Sequence, residues 1–108
     1  MMTNTESRAI TLEEARKIAT DMATYDTARD VKDKSIPLLQ DGYLEADYCW
    51  MFFRNKVIVI APERALSDCA YCVSKMGHGR SIPDYSNDPI RLQEYLQTMS
   101  NHFKERGL

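Results

Sequence analysis

A chain of 108 residues has room for one ordinary domain and not for a second. Its formal charge is −2 with the signs interspersed, so no basic block points to nucleic acid and no polybasic segment points to a membrane surface. The longest apolar runs, YCWMFF and VIVIAP, fall far short of the roughly 20 residues that cross a bilayer.

The start, MMTNTESRA, is polar and lacks the apolar stretch of a secretory signal. Residues 1–9 read as a tail and 10–108 as the domain. Three cysteines without an export signal suit free thiols in a reducing compartment, so a cytoplasmic location is expected.

Thr11 followed by Glu14 is a capping box that opens a helix. Leu12, Ala15, Ile18, Ala19, Met22 and Ala23 fall on one stripe, opposite Glu13, Arg16, Lys17 and Asp21. The pattern fades into the charged connector TYDTARDVKDKS, with space for one more helical turn. IPLLQ then predicts a short strand, with Pro37 suited to a sheet edge, and DGYLEAD an acidic, turn-rich connection. YCWMFF is apolar on both alternating faces, the mark of a strand packed on each side. RNK is expected to turn into a second apolar strand, VIVIAP, and ERALSD to form a loop or a helical turn. CAYCVSK predicts a strand, MGHG a turn and RSIPDY a return strand. Asp88 as N-cap, Pro89 at the first helical position, the stripe Leu92, Tyr95, Leu96, Met99, Phe103, and Gly107 at the stop define a closing helix. The sum is a small α+β domain, an antiparallel sheet of three to five strands between an N-terminal and a C-terminal helix.

Cys69 and Cys72 have the C-x-x-C spacing of redox and metal sites, with His78 close behind. In an extended segment, however, residues three apart point to opposite sides of the sheet. No helix pattern follows Cys72 to stabilise a thiolate, and no second ligand pair completes a zinc site. GHG lacks the frame of a phosphate loop, and Asp26, Asp30 and Asp33 lack that of a calcium loop. No catalytic, metal or cofactor-binding residue is assigned. A small thiol- or zinc-dependent enzyme using Cys69, Cys72 and His78 is kept as the rival reading.

Two helices on so small a sheet are expected to share one face. Either Tyr48, Trp50 and Phe52, or Cys49, Met51 and Phe53, would then meet a partner chain or a second copy in a homodimeric module. In the competing arrangement, loops and the N-terminal helix cover that second face. The acidic set Asp41, Glu45 and Asp47 beside Tyr43 and Trp50 has the chemistry to steer a basic partner. The candidate partner-binding residues are therefore Asp41, Tyr43, Glu45, Asp47, Tyr48 and Trp50.

The motif order also resembles a known family. An amphipathic helix precedes IPLLQDGYLEADYCWMFF. Next comes AYCVSKMGHGRSI, with Val73, Lys75 and Gly79 in a hairpin, and then DPIRLQEYL, with Glu94, Tyr95 and Leu96 in a closing helix. From Thr11 to Met99 this resembles the YrhB-like immunity proteins, small bacterial domains associated with polymorphic toxin systems. The chain departs from the pattern in the helix extension SNHFKERGL and in the more hydrophobic VIVIAPERALSDC. The resemblance implies a non-catalytic protein that binds a cognate toxin or secreted effector and occludes its active site.

Overall fold

The structure, a computed structural model, describes residues 9–28, 31–33, 35–60 and 68–108. Helix α1 (Leu12–Thr27) starts at the expected capping box. The Glu14 N–H donates to Thr11 Oγ1 at 3.1 Å, and the Thr11 N–H donates to Glu14 Oε1 at 2.9 Å. The helix takes up the extra turn that the connector allowed. Strands β1 (Leu39–Glu45), β2 (Cys49–Arg54), β3 (Cys69–Ser74) and β4 (Gly79–Pro83) follow in order as one antiparallel sheet. Helix α2 (Pro89–Arg106) closes the fold. Asp88 Oδ1 accepts from the Arg91 N–H at its start. At its end Gly107 takes a left-handed φ of 69°, and the N–H groups of Gly107 and Leu108 donate to the carbonyls of Lys104 and Phe103. The fold is α+β, with one helix before the sheet and one after it.

The helices do not share a face. All six residues of β2 and all six of β3 are buried, so both sides of the sheet need cover. Helix α1 lays Ala15, Ala19 and Ala23, each fully buried, on Trp50, Phe52, Cys69, Tyr71 and Val73. Helix α2 places Leu96, Met99 and Phe103 on Cys49, Met51, Phe53, Ala70, Cys72 and Ile82. Alanine at successive turns lets α1 approach closely. A Cβ built at Gly79 of β4 would lie 2.7 Å from Met22 Sδ and 3.2 Å from Ile18 Cγ2. Of the two arrangements expected, the one in which the N-terminal helix covers the second face is found, and the open aromatic face, with its motive for burial against a second copy, is not.

The strand bounds differ from expectation at two places. DGYLEAD is no connection, since β1 runs through Asp41 to Glu45 after a register shift between Leu39 and Tyr43, and Ile36 and Pro37 precede it. The run after Arg54 is no strand. Asn55 to Ile60 is irregular, with Val57 69 % and Val59 83 % exposed. The readings of ERALSD and of the N-terminal tail fall outside the described residues except at Asp68 and Ala9. No helix among the described residues is long and apolar enough to cross a membrane.

The β3–β4 turn hangs on Ser74 and Gly77. The buried Ser74 Oγ accepts from the N–H groups of Met76 and His78, and Gly77 sits at φ 92°, a conformation costly to residues with a Cβ. Gly77→Ala is expected to lower unfolding free energy by about 1–2 kcal/mol in urea denaturation. Gly42→Ala, where a Cβ meets nothing within 4 Å, should stay within about 0.5 kcal/mol of the parent.

Candidate functional site

Strand geometry decides the cysteine question. Cys69 belongs to the core under α1 and Cys72 to the core under α2, so the C-x-x-C thiols sit on opposite sides of the sheet. His78 lies past the far end of β3, on the order of 15 Å along the strand from Cys69, with its ring edge-on to Phe103 of α2. All three cysteines are free and buried. Among the described residues no group of three or more His, Cys, Asp or Glu side chains is placed to hold a metal ion. Cys72 instead meets Cys49, its diagonal neighbour on β2. The hydrogen bond between them lowers the Cys49 pKa and, with burial, pushes the Cys72 thiol up.

Cys69 has polar company of another kind. Arg54 Nη2 donates to Cys69 Sγ at 3.0 Å and to the Tyr71 hydroxyl at 2.6 Å, and that hydroxyl donates to Asp26 Oδ2 at 2.9 Å. Arg54 and Asp26 are each 7 % exposed, with 3.8 Å between Nη2 and Oδ2. This chain of groups ties the last turn of α1 to β2 and β3 inside an apolar interface. Burial raises the pKa of both the Tyr71 phenol and the Cys69 thiol, against the pull of the Arg54 charge, so both stay protonated at neutral pH. A neutral thiol is a poor nucleophile. The cavity beside it, lined also by Lys56, Asp68 and Asp84, holds about 70 Å³, well below the few hundred Å³ of typical ligand pockets. The cluster acts as a buried tether. Neither Asp26 nor Arg54 announces it in the sequence, because the pair is joined only through the fold.

The partner-binding candidates separate into two groups. Trp50 is 5 % exposed, beneath the Lys75 ammonium, which lies 4.4 Å from its ring centroid. It belongs to the core and offers a partner no surface. Asp41, Tyr43, Glu45, Asp47 and Tyr48 are all exposed and lie together on β1 and the β1–β2 hairpin. Tyr43 and Tyr48 each show 40 % of their surface. Glu45 is engaged with Lys75, 2.6 Å away, whereas Asp41 and Asp47 have no ion-pair partner among the described residues. Arg16 of α1 holds β1 from behind. It donates to the carbonyls of Gln40 and Asp41 at 3.1 and 2.8 Å, and its guanidinium lies over the rings of Phe52 and Tyr43. The Lys75 N–H donates to the Tyr48 carbonyl, which sets the two hairpin ends side by side. Met76, the next residue in the chain, is 40 % exposed.

Comparison with family models, with curated proteins and with solved structures returns no match.

Two outcomes test this description. Tyr71→Phe removes the hydroxyl between Arg54 and Asp26 and should cost about 1.5–3 kcal/mol in chemical denaturation, the scale of hydrogen bonds to charged groups. Asp84 supplies a pH test. Burial opposes its ionisation, but hydrogen bonds from Ser86 and from Lys56 Nζ at 3.1 Å outweigh that and lower its pKa below 3.8. A lowered folded-state pKa gives stability that is complete above the unfolded value and is lost as pH falls through the folded one. Asp84→Asn should therefore be less stable than the parent at neutral pH, and the gap should close below pH 3.8 in acid titrations followed by circular dichroism.

Proposed function

We propose that this chain is an immunity protein, a non-catalytic binder that neutralises a cognate bacterial toxin or secreted effector in the cytoplasm by occluding its active site. One observation carries the reading. Five of the six candidate residues are exposed along β1 and its hairpin, and two carboxylates among them, Asp41 and Asp47, have no ion-pair partner among the described residues. The sequence resemblance to YrhB-like immunity proteins, carried in part by the same segment, supports the same reading. Unpaired exposed carboxylates raise association rates with a basic partner, and tyrosines at the centre of such a surface supply most of the affinity.

The test is co-expression with the product of the adjacent gene. Rescue from that product's toxicity, together with a co-purifying complex, is the expected result, and neither rescue nor complex ends the reading. Within the complex, Asp41→Asn with Asp47→Asn should slow association at low salt and leave dissociation nearly unchanged. Tyr43→Ala or Tyr48→Ala should weaken Kd by roughly 30-fold, the effect of losing about 2 kcal/mol at a hot spot. Surface plasmon resonance at two ionic strengths separates the two effects. Trp50 is unsuitable for this test, because its removal opens the core.

A further inference from the structure

The free edge of β1 suggests how such a partner is held. In an antiparallel ladder, residues alternate between bonding to the neighbouring strand and pointing their N–H and C=O groups away from it. The Ala46 N–H donates to the Cys49 carbonyl, and in the same register Leu44 faces Met51. Ala46 and Leu44 are thus the residues whose backbone bonds to β2. Tyr43 and Glu45 alternate with them and direct N–H and C=O outward, where β1 is the last strand of the sheet and nothing among the described residues covers it. Upstream the edge is closed, because the Arg16 guanidinium occupies the Gln40 and Asp41 carbonyls. The other edge is less suited. The Ser74 N–H donates to the His78 carbonyl, which makes Gly79, Ser81 and Pro83 the outward residues of β4, and Pro83 has no N–H to offer.

We propose that β1 is a strand-docking edge, and that its occupant is an extended segment of a partner protein with a basic side chain at each end. The segment adds to the sheet through the backbone of Tyr43 and Glu45. Asp41 and Asp47, both without an ion-pair partner among the described residues, flank that stretch and select the basic ends. Charge also excludes a second copy of this chain as occupant. Pairing β1 with itself about Leu44 brings Asp41 of one copy towards Asp47 of the other, and sliding the register by one pair sets Glu45 against Asp41 or against another Glu45. This proposal deepens the immunity reading by naming its binding mode, and it rests on that reading only for the identity of the partner.

The probe is the acetylated and amidated peptide Lys-Val-Thr-Val-Thr-Val-Lys, titrated into the protein at low salt, with backbone amide exchange followed by NMR. Binding is expected to slow exchange at Tyr43 and Glu45 by roughly tenfold or more, to leave the already bonded Leu44 little changed, and to weaken as salt is added. The same peptide with Glu at both ends should do nothing. Glu45→Pro removes an outward N–H without touching a bond to β2, and should abolish binding with the fold intact. Glu45→Ala, which removes only the Lys75 pair, should retain binding. No protection at Tyr43 and Glu45, protection at Gly79 and Ser81 instead, or equal binding of the acidic peptide would overturn the proposal, and the wild-type measurement decides this even if the proline variant unfolds. The neighbouring gene product separates the two readings. Neutralisation that survives Glu45→Pro with both amides unprotected removes the docking edge and keeps the immunity role. Protection without neutralisation does the reverse.

Discussion

The structure depends on the covering of two strands that are apolar on both sides. β2 and β3 expose almost nothing along their length, and a sheet with such strands at its centre is stable only when each face has a helix. This requirement separates α1 from α2 across the sheet and shapes each helix for its own surface. On one side, alanines at successive turns of α1 let the helix settle against Trp50, Phe52 and Tyr71. On the other, Leu96, Met99 and Phe103 fill a wider gap above Cys49, Met51 and Cys72. The cysteines follow from the same rule. On strands buried on both faces, Cys serves as a small apolar side chain wherever the pleat places it, and the spacing of Cys69 and Cys72 has no chemical consequence.

Covering both faces moves any partner surface to the rim of the sheet. Trp50 and Phe52 lie beneath α1, so the aromatic side chains that the edge strand and its hairpin leave exposed are Tyr43 and Tyr48. Both are braced by a cation from a helix. The Arg16 guanidinium lies 5.8 Å from the Tyr43 ring and the Lys104 ammonium 5.9 Å from the Tyr48 ring. Such contacts hold the rings in place before a partner arrives, which reduces the ordering cost of binding. Ser100 Oγ accepts the Tyr48 N–H at 3.0 Å, so the hairpin is also fixed to α2.

What was legible in the sequence was local. The capping box at Thr11, the Asp88–Pro89 start and the Gly107 stop each act over three or four residues, and each recurs in the fold with the expected hydrogen bonds. The unbroken apolar runs of β2 and β3 were equally plain, and strand geometry then parted Cys69 from Cys72. What failed was set by distant residues. Asp41–Gly42 has the composition of a turn, yet Arg16 holds it in an irregular edge strand from about 25 positions away. The run VIVI has the composition of a strand, yet Val57 to Ile60 joins neither edge of the sheet. The exposure of Asp41, Tyr43, Glu45, Asp47 and Tyr48 was legible from composition, whereas that of Trp50 depended on which face each helix covers. Asp26, Arg54 and Tyr71 left no signal, since a buried ion pair is defined by tertiary placement.

The buried tether and the exposed edge suit different demands on one small domain. With about 100 residues, apolar burial leaves little surplus stability, and α1 touches the sheet chiefly through alanines, which bury little area each. A charged cluster contributes less than an apolar one of equal volume, but it fixes the angle and register of the helix, because Asp26, Tyr71 and Arg54 bond in only one arrangement. Arg16 makes a similar demand at the other end of α1, where it bonds two carbonyls of β1. The helix is thus anchored to the sheet by charge near both of its own ends, Arg16 and Asp26. A binding edge built on backbone groups needs this kind of rigidity, since the spacing between successive outward amides must match that of the incoming strand.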